Sequence, residues 1–193
     1  MGTVVFVLLS IGISVVWGNG QFLIWLTGHR SVYADYFFYY VTKLGEEHGF
    51  ILIGVVFLFR YWRRSLMIAA LGLSVTVVTF ILKTIFQFER PGLFLTRMGW
   101  EGPLAVLDYP LLSGHSSFPS GHSMAAWALF TFVAALYRRP IPAIICLFVG
   151  ISVSISRVYL MAHFLRDVAV GAAVGFAIGY AAFMVYDKRL KSK

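Results

Sequence analysis

The sequence predicts an all-α integral membrane protein, a six-transmembrane-helix bundle with an interfacial amphipathic segment after the first helix. Two observations predict it. Of the 193 residues, 60% are hydrophobic and only 12% are charged. A soluble domain of this size needs a polar shell, so such a composition makes the bilayer the solvent. In addition, several apolar runs approach the ~20 residues that a helix needs to cross a ~30 Å hydrocarbon core. The length suits one compact membrane domain over 1–193.

The first span is expected at roughly 2–18, closed by Gly18-Asn19-Gly20. It lacks the basic start and small-residue cleavage pattern of a signal peptide. The stretch at roughly 20–45 interleaves Trp25, Tyr33, Tyr36, Phe37, Phe38, Tyr39 and Tyr40 with Arg30, Asp35 and Lys43. That mixture suits a segment lying at headgroup depth. Further spans are expected at roughly 47–61, 65–88, 121–137, 141–158 and 164–186. Arg63-Arg64 and Arg138-Arg139-Pro140 interrupt the apolar runs with charge and, at Pro140, a lost amide donor. The longest polar loop runs over roughly 89–118 and is rich in Gly and Pro.

Charge gives an orientation. Arg60, Arg63, Arg64, Arg138, Arg139, Lys188, Arg189, Lys191 and Lys193 fall on one side, nine of the 16 basic residues, with Asp187 as their only acid. The positive-inside rule assigns that side, and both termini, to the cytoplasm. The net charge of +8 is distributed in these short clusters. No continuous basic face for nucleic acid results. The single cysteine, Cys146, lies within an apolar run, which excludes an internal disulfide and a thiolate metal site.

Three polar groups fall at the opposite ends of the helices. They are Lys83 with Arg90-Pro91, then Pro119-Ser120-Gly121-His122, then Ser156-Arg157 with His163 and Asp167. Cations at membrane depth need a partner or a path to the interface, so three converging on one face call for an anion. Lys83 and Arg90, seven apart, are expected on one helix face two turns apart. Arg90 and Arg157 offer planar forks that match phosphate oxygens, while Lys83 offers a point charge. Snorkelling at a helix end explains Lys83 equally well on its own. Ser120 is placed to cap a helix, and Gly121 permits close approach to backbone N–H groups at a positive dipole end. His163 and Asp167 are spaced i, i+4 and share a face if helical. A carboxylate on one imidazole nitrogen fixes the tautomer and leaves the other free to attack.

Together these residues read K-x6-RP, PSGH and SR-x5-H-x3-D. The pattern resembles the type-2 phosphatidic acid phosphatase superfamily, over roughly 83–167 by motif and over almost the whole chain by helix layout. The resemblance implies a hydrolase that removes a lipid phosphate or pyrophosphate, with His163 attacking phosphorus to form a phosphohistidine. Asp167 would orient it, and His122 would protonate the leaving oxygen. Lys83, Arg90, Ser120, Gly121 and Arg157 would hold the phosphate oxygens. No cofactor or metal is implied. The partners implied are a membrane lipid and the bilayer, with no nucleic acid and no obligate protein. A bacterial inner membrane, with the site facing the exterior, is the expected location. Undecaprenyl pyrophosphate, phosphatidylglycerol phosphate, phosphatidic acid and lipid A 1-phosphate are all compatible substrates. The same residues would also serve a lipid-to-lipid phosphotransferase, while a non-catalytic membrane protein would use them only as interfacial polar groups. His115, His29, Glu46, Glu47 and His48 lie on the same side and are expected to be loop or interfacial residues. Glu89 and Arg166 are expected to tune local charge.

Overall fold

The computed structural model describes residues 1–102, 106, 107, 109 and 111–191, with Asn19, Leu190 and Lys191 through their backbone alone. Lys193, counted above among the basic residues, lies outside the described residues. Seven α-helices are described: α1 (Gly2–Thr27), α2 (Val32–Val41), α3 (Glu47–Ile85), α4 (Pro91–Arg97), α5 (Gly121–Tyr137), α6 (Pro140–Tyr159) and α7 (Leu165–Lys191). A 3₁₀ turn, Thr42–Gly45, leads from α2 to α3. Three helices are long and apolar enough to cross a membrane: α3, α6 and Leu165–Arg189 of α7. A fourth span results if the two arms of α1 count as one.

The sequence dictates where these helices bend and stop. Gly18 takes φ 72°, and the chain bends by 93° between Gly2–Gly18 and Gly20–Thr27. Glycine tolerates this left-handed backbone because it lacks Cβ. The helix then resumes, so the expected amphipathic stretch consists of the second arm of α1, then α2 and the 3₁₀ turn. None of the α2 side chains is buried, and Tyr33, Tyr36, Phe37 and Tyr40 are exposed.

Within α3, Tyr61 alone leaves helical geometry, at φ −140° and ψ 53°. The Ser65 hydroxyl donates to the Gly54 carbonyl at 2.7 Å, and a Cβ on Gly72 would lie 3.2 Å from Phe50 Cδ1. Residues 50 and 72 would stand about 33 Å apart on a straight helix. The chain therefore doubles back, and α3 is a hairpin of two legs. The reversal falls at Tyr61 rather than at Arg63-Arg64, and the second leg ends at Ile85 rather than 88. The guanidinium of Arg64 stacks 4.0 Å from the Tyr61 ring centroid, so the charges pack on the turn and need not break it. A further departure is α4, a short helix inside the region expected to be only loop.

The centre of the bundle is α5, whose Met124–Leu129 and Phe132 are almost fully enclosed. It packs closely along α7, where glycines recur every four residues. A Cβ on Gly171, Gly175 or Gly179 would fall 2.6, 2.2 or 2.3 Å from the carbonyl oxygens of Ser120, Met124 and Ala128. Small residues at this spacing let two helix backbones approach where no hydrophobic force drives them together. A buried polar net adds direction. The Ser123 hydroxyl bonds to Ser154 Oγ at 2.7 Å and to the Val168 carbonyl at 2.8 Å, and Trp127 Nε1 donates to Ser154 Oγ at 2.9 Å. At the far end, Arg138 pairs with Asp187 at 2.6 Å and Arg64 donates to the Tyr186 hydroxyl at 3.3 Å. The basic cluster and the polar motifs thus occupy opposite ends of the bundle.

Replacing Gly175 by alanine forces α5 and α7 apart and is expected to cost about 1–3 kcal/mol. Gly12, with nothing within 4 Å of an added Cβ, gains helix propensity instead. Thermal unfolding in detergent checks the pair: Gly175→Ala falls, and Gly12→Ala holds or rises.

Candidate active site

The turn between α6 and α7 is built by capping. The amides of Ala162 and His163 both donate to the Arg157 carbonyl, at 3.0 and 3.1 Å, and Met161 takes φ 56°. This left-handed closure satisfies the last carbonyls of α6 and brings His163 back over Arg157. His163 therefore precedes α7 rather than sharing a face with Asp167 along it. Asp167 lies in the first turn of α7, and its Oδ2 accepts from the Phe164 amide at 3.0 Å. The geometry is the return half of a capping box, which fixes a carboxylate at a helix start.

The same Oδ2 accepts from the Ser117 hydroxyl at 2.6 Å and faces His163 Nδ1 at 3.7 Å. The latter distance is an ion-pair separation, longer than a hydrogen bond. His163 is 2% exposed, and its Nδ1 has no hydrogen-bond partner among the described residues. With Nδ1 turned to Asp167, Nε2 is the nitrogen available to a substrate. Burial, with the charges of Arg157 and Arg90 adding to it, pushes the His163 imidazole down to about 3 against the opposing pull of Asp167. His163 is consequently a neutral base at physiological pH.

Lys83 and Arg90 reach the site by a different route from the one expected. The helix ends at Ile85, residues 86–90 are non-helical with a tight turn closed by Phe88 N to Phe86 O at 3.0 Å, and Arg90 caps α4. Backbone bonds strap this run to the loop: Arg90 N to Gly114 O at 2.9 Å, and Ser117 N to Phe88 O at 3.0 Å. The Arg90 guanidinium donates to the Ala162 carbonyl at 3.2 Å and to the carbonyl and hydroxyl of Ser116 at 3.2 and 3.3 Å. Half-buried Lys83 sits near enough to feel the charges of Arg90, Arg157 and Asp167.

Arg157 is wholly enclosed. Its Nη1 donates to Thr42 Oγ1 at 2.8 Å, and the guanidinium carbon lies 5.3 Å from the Tyr109 ring centroid. Among the described residues, buried Nε and Nη2 meet no hydrogen-bond partner in bonding geometry, while the Tyr109 side chain supports the charge. A buried cation left with unpaired donors is costly unless an anion completes it.

The second motif meets the third through backbone. Ser120 N donates to the Asp167 carbonyl at 3.0 Å, so that amide is already occupied. The Ser120 hydroxyl accepts from Ser123 N at 3.4 Å, the expected helix cap. A Cβ on Gly121 would lie 3.1 Å from Thr79 Cγ2, so this glycine makes room for α3. His122 Nε2 is 3.1 Å from Glu46 Oε1, and that bond holds the Glu46 carboxyl below the ordinary carboxylate range.

The structure thus gathers Lys83, Arg90, Ser120, Gly121, His122, Arg157, His163 and Asp167 at one end of the bundle. Thr42, Tyr109, Ser116 and Ser117 join them without having been singled out, and Glu46 is an imidazole partner rather than an isolated interfacial charge. The echo SGHSS at 113–117 was the available signal for Ser116 and Ser117; nothing in the sequence marks Thr42 or Tyr109. Glu89 pairs with Arg97 at 2.8 and 3.2 Å, and Arg166 stacks on Phe88 and Phe164. Among the described residues, no group of three His, Cys, Asp or Glu side chains is arranged to hold a metal.

Known proteins share this fold. The chain superposes on the crystal structure of Aquifex aeolicus LpxE with a TM-score of 0.72 and 22% identity, covering 86% of this chain and 94% of that one. The Bacillus subtilis transmembrane PAP2 type phosphatidylglycerolphosphate phosphatase gives the same TM-score and identity, covering 96% and 94%. By sequence, the chain is 30% identical to phosphatidylglycerophosphatase B of Bacillus subtilis over 52% of its length and 64% of the relative's. It is 34% identical to mouse glucose-6-phosphatase 3 over 57% of its length and 38% of the relative's. The chain therefore spans less than two thirds of either curated relative. Residues 61–191, more than half of the chain, match the model of the PAP2 superfamily, and the chain belongs to that superfamily.

Proposed function

We propose that this protein is a metal-independent phosphatase that hydrolyses a lipid phosphate or pyrophosphate through a phosphohistidine intermediate. The observation that carries this reading is the enclosed Arg157 guanidinium, whose Nε and Nη2 have no hydrogen-bond partner among the described residues, beside a neutral buried histidine backed by a carboxylate. A phosphate dianion supplies what these groups lack: charge for Arg157, Arg90 and Lys83, and acceptor oxygens for their donors.

The chemistry divides into two displacements. His163 Nε2 attacks phosphorus, a P–N bond forms, and the P–O bond breaks with its electron pair passing to the leaving oxygen. His122 gives that oxygen a proton. Asp167 draws closer to His163 Nδ1–H and stabilises the positive ring. Water then attacks phosphorus, loses its proton to His122, and the P–N bond breaks to release inorganic phosphate and neutral His163. Arg90, Arg157 and Lys83 hold the equatorial oxygens in both steps.

A lipid substrate is favoured by the surroundings. A cavity of about 590 Å³ runs from Glu46 and His122 along the groove between the two α3 legs and α5, lined by Phe50, Ile68, Leu73 and Val75. It offers an apolar chain a path beside the headgroup site. Counting both legs of α3, with α1, α5, α6 and α7, gives six crossings and returns both termini to one side. The basic cluster at that end favours the cytoplasm for the termini. The site would then face the exterior of a bacterial inner membrane, with α2 in the headgroup layer.

Purified protein in detergent should release phosphate from one or more members of a lipid panel, with excess chelator present. His163→Ala should lower turnover by at least ~10³-fold. Retained activity in that variant, or strict magnesium dependence, would contradict the mechanism.

Because the anion completes Arg157, inorganic phosphate or vanadate should raise the thermal midpoint of the wild type. Arg157→Met should match or exceed the ligand-free wild type in stability, lose activity, and lose the phosphate response. Equal stabilisation by phosphate in both proteins would place the anion elsewhere.

The neutral His163 also predicts a pH dependence. The folded protein keeps this ring unprotonated down to about 3, whereas an unfolded imidazole protonates near ~6.5. Between those values the unfolded state binds more protons, so stability falls as pH drops through that window. Thermal unfolding at pH 7 and pH 5 should show a smaller difference in His163→Asn than in wild type.

A further inference from the structure

Resting on the phosphatase reading, we propose that Glu46 is a positioning residue for His122, the counterpart on the acid side of what Asp167 is for His163. Glu46 follows the 3₁₀ turn and caps α3, and its Oε1 meets His122 Nε2 at 3.1 Å. Its other oxygen, Oε2, lies 3.4 Å from His48 Nδ1, which anchors the carboxylate from the opposite side. The backbone is held as firmly. A Cβ on the neighbouring Gly45 would fall 2.8 Å from the His122 carbonyl oxygen and 2.6 Å from Val153 Cγ1, so the turn is pressed against the start of α5.

With Nε2 committed to Glu46, Nδ1 is the ring nitrogen left to exchange a proton with the leaving oxygen and then with water. The carboxylate fixes that tautomer and offsets the positive ring that results each time His122 is protonated. The charged groups that bear on His122 are few. Glu46 and His48 approach from the entry to α3, Lys83 from its second leg, and Arg157 from α6. Glu46 is the one anion in this set. Without it, a protonated His122 would stand near the cations Lys83 and Arg157 with no carboxylate bonded to it among the described residues. The arrangement matters most where the leaving group is a poor one, because an alkoxide needs the proton in the transition state and an aryloxide hardly does.

The test compares Glu46→Gln and Glu46→Asp with wild type on a lipid alkyl phosphate and on p-nitrophenyl phosphate. Glu46→Gln keeps shape and removes charge. It should lower kcat/KM, which reports formation of the phosphoenzyme alone, by ~10²-fold on the alkyl ester, with a loss about tenfold smaller on the aryl ester. Glu46→Asp should restore part of the alkyl activity. On a His122→Ala background, Glu46→Gln should cause no further loss, since its partner is already gone. Equal losses on both esters, or losses that multiply on the His122→Ala background, would make Glu46 a merely structural residue and overturn the proposal. Should Glu46→Gln fail to fold, the same ester comparison on Glu46→Asp decides, since a positioning role predicts an alkyl-selective loss there too. Wild-type activity that vanishes in His163→Ala upholds the phosphatase reading whatever the Glu46 variants do, so the two claims fail separately.

Discussion

Asp167 is the residue on which the rest of the site depends. It is wholly buried, and it joins the start of α7, the long loop and the start of α5. Its side chain accepts from Phe164 N at the start of α7 and from the Ser117 hydroxyl in the long loop, while facing His163. Its backbone carbonyl accepts from Ser120 N, directly before α5. A carboxylate at this depth is tolerable because Oδ2 accepts two hydrogen bonds and cations lie close, Arg166 Nε 3.5 Å from Oδ1 among them. The same bonds that make it tolerable also align the loop, α5 and α7, so that correct packing and catalytic alignment are one requirement.

That constraint explains the division of the molecule into two ends. Toward Asp167 the elements are joined by the Ser117–Asp167 hydrogen bond and by those among Ser123, Ser154 and Trp127. Along the shaft, α5 and α7 are joined by contact between glycines and backbone carbonyls, which is how helices associate where lipid removes the hydrophobic drive. At the other end, Arg64, Arg138, Tyr186 and Asp187 form pairs suited to a wet interface. The polar groups therefore sit where water or substrate can repay their desolvation, and the middle is left to packing.

Much of this was legible in the sequence because it depends on local chemistry. Ser120 caps α5 as its type and position require, and Pro140 opens α6 where a missing amide costs nothing. The turn reversing α3 also falls within a few residues of the expected break. What the sequence misled on was long-range geometry. Lys83 and Arg90 were expected to share a helix by their spacing, but Phe86 to Arg90 leave the helix, and Arg90 N and Phe88 O bond to Gly114 and Ser117 instead. Thr42 binds Arg157 across more than a hundred residues, and Glu46 binds His122 across 76, which no periodicity encodes. His163 and Asp167 did meet, but through a capped turn rather than an i, i+4 face.

The measurement that tests the central claim most directly is capture of the covalent intermediate. Protein turning over a phosphate-labelled lipid would be quenched rapidly in alkali, where phosphohistidine survives, and mapped by peptide mass spectrometry. The account predicts a single phosphorylated peptide modified at His163, which disappears once the substrate is exhausted. Active protein that carries no covalent phosphate, or carries it on a residue other than His163, would contradict it.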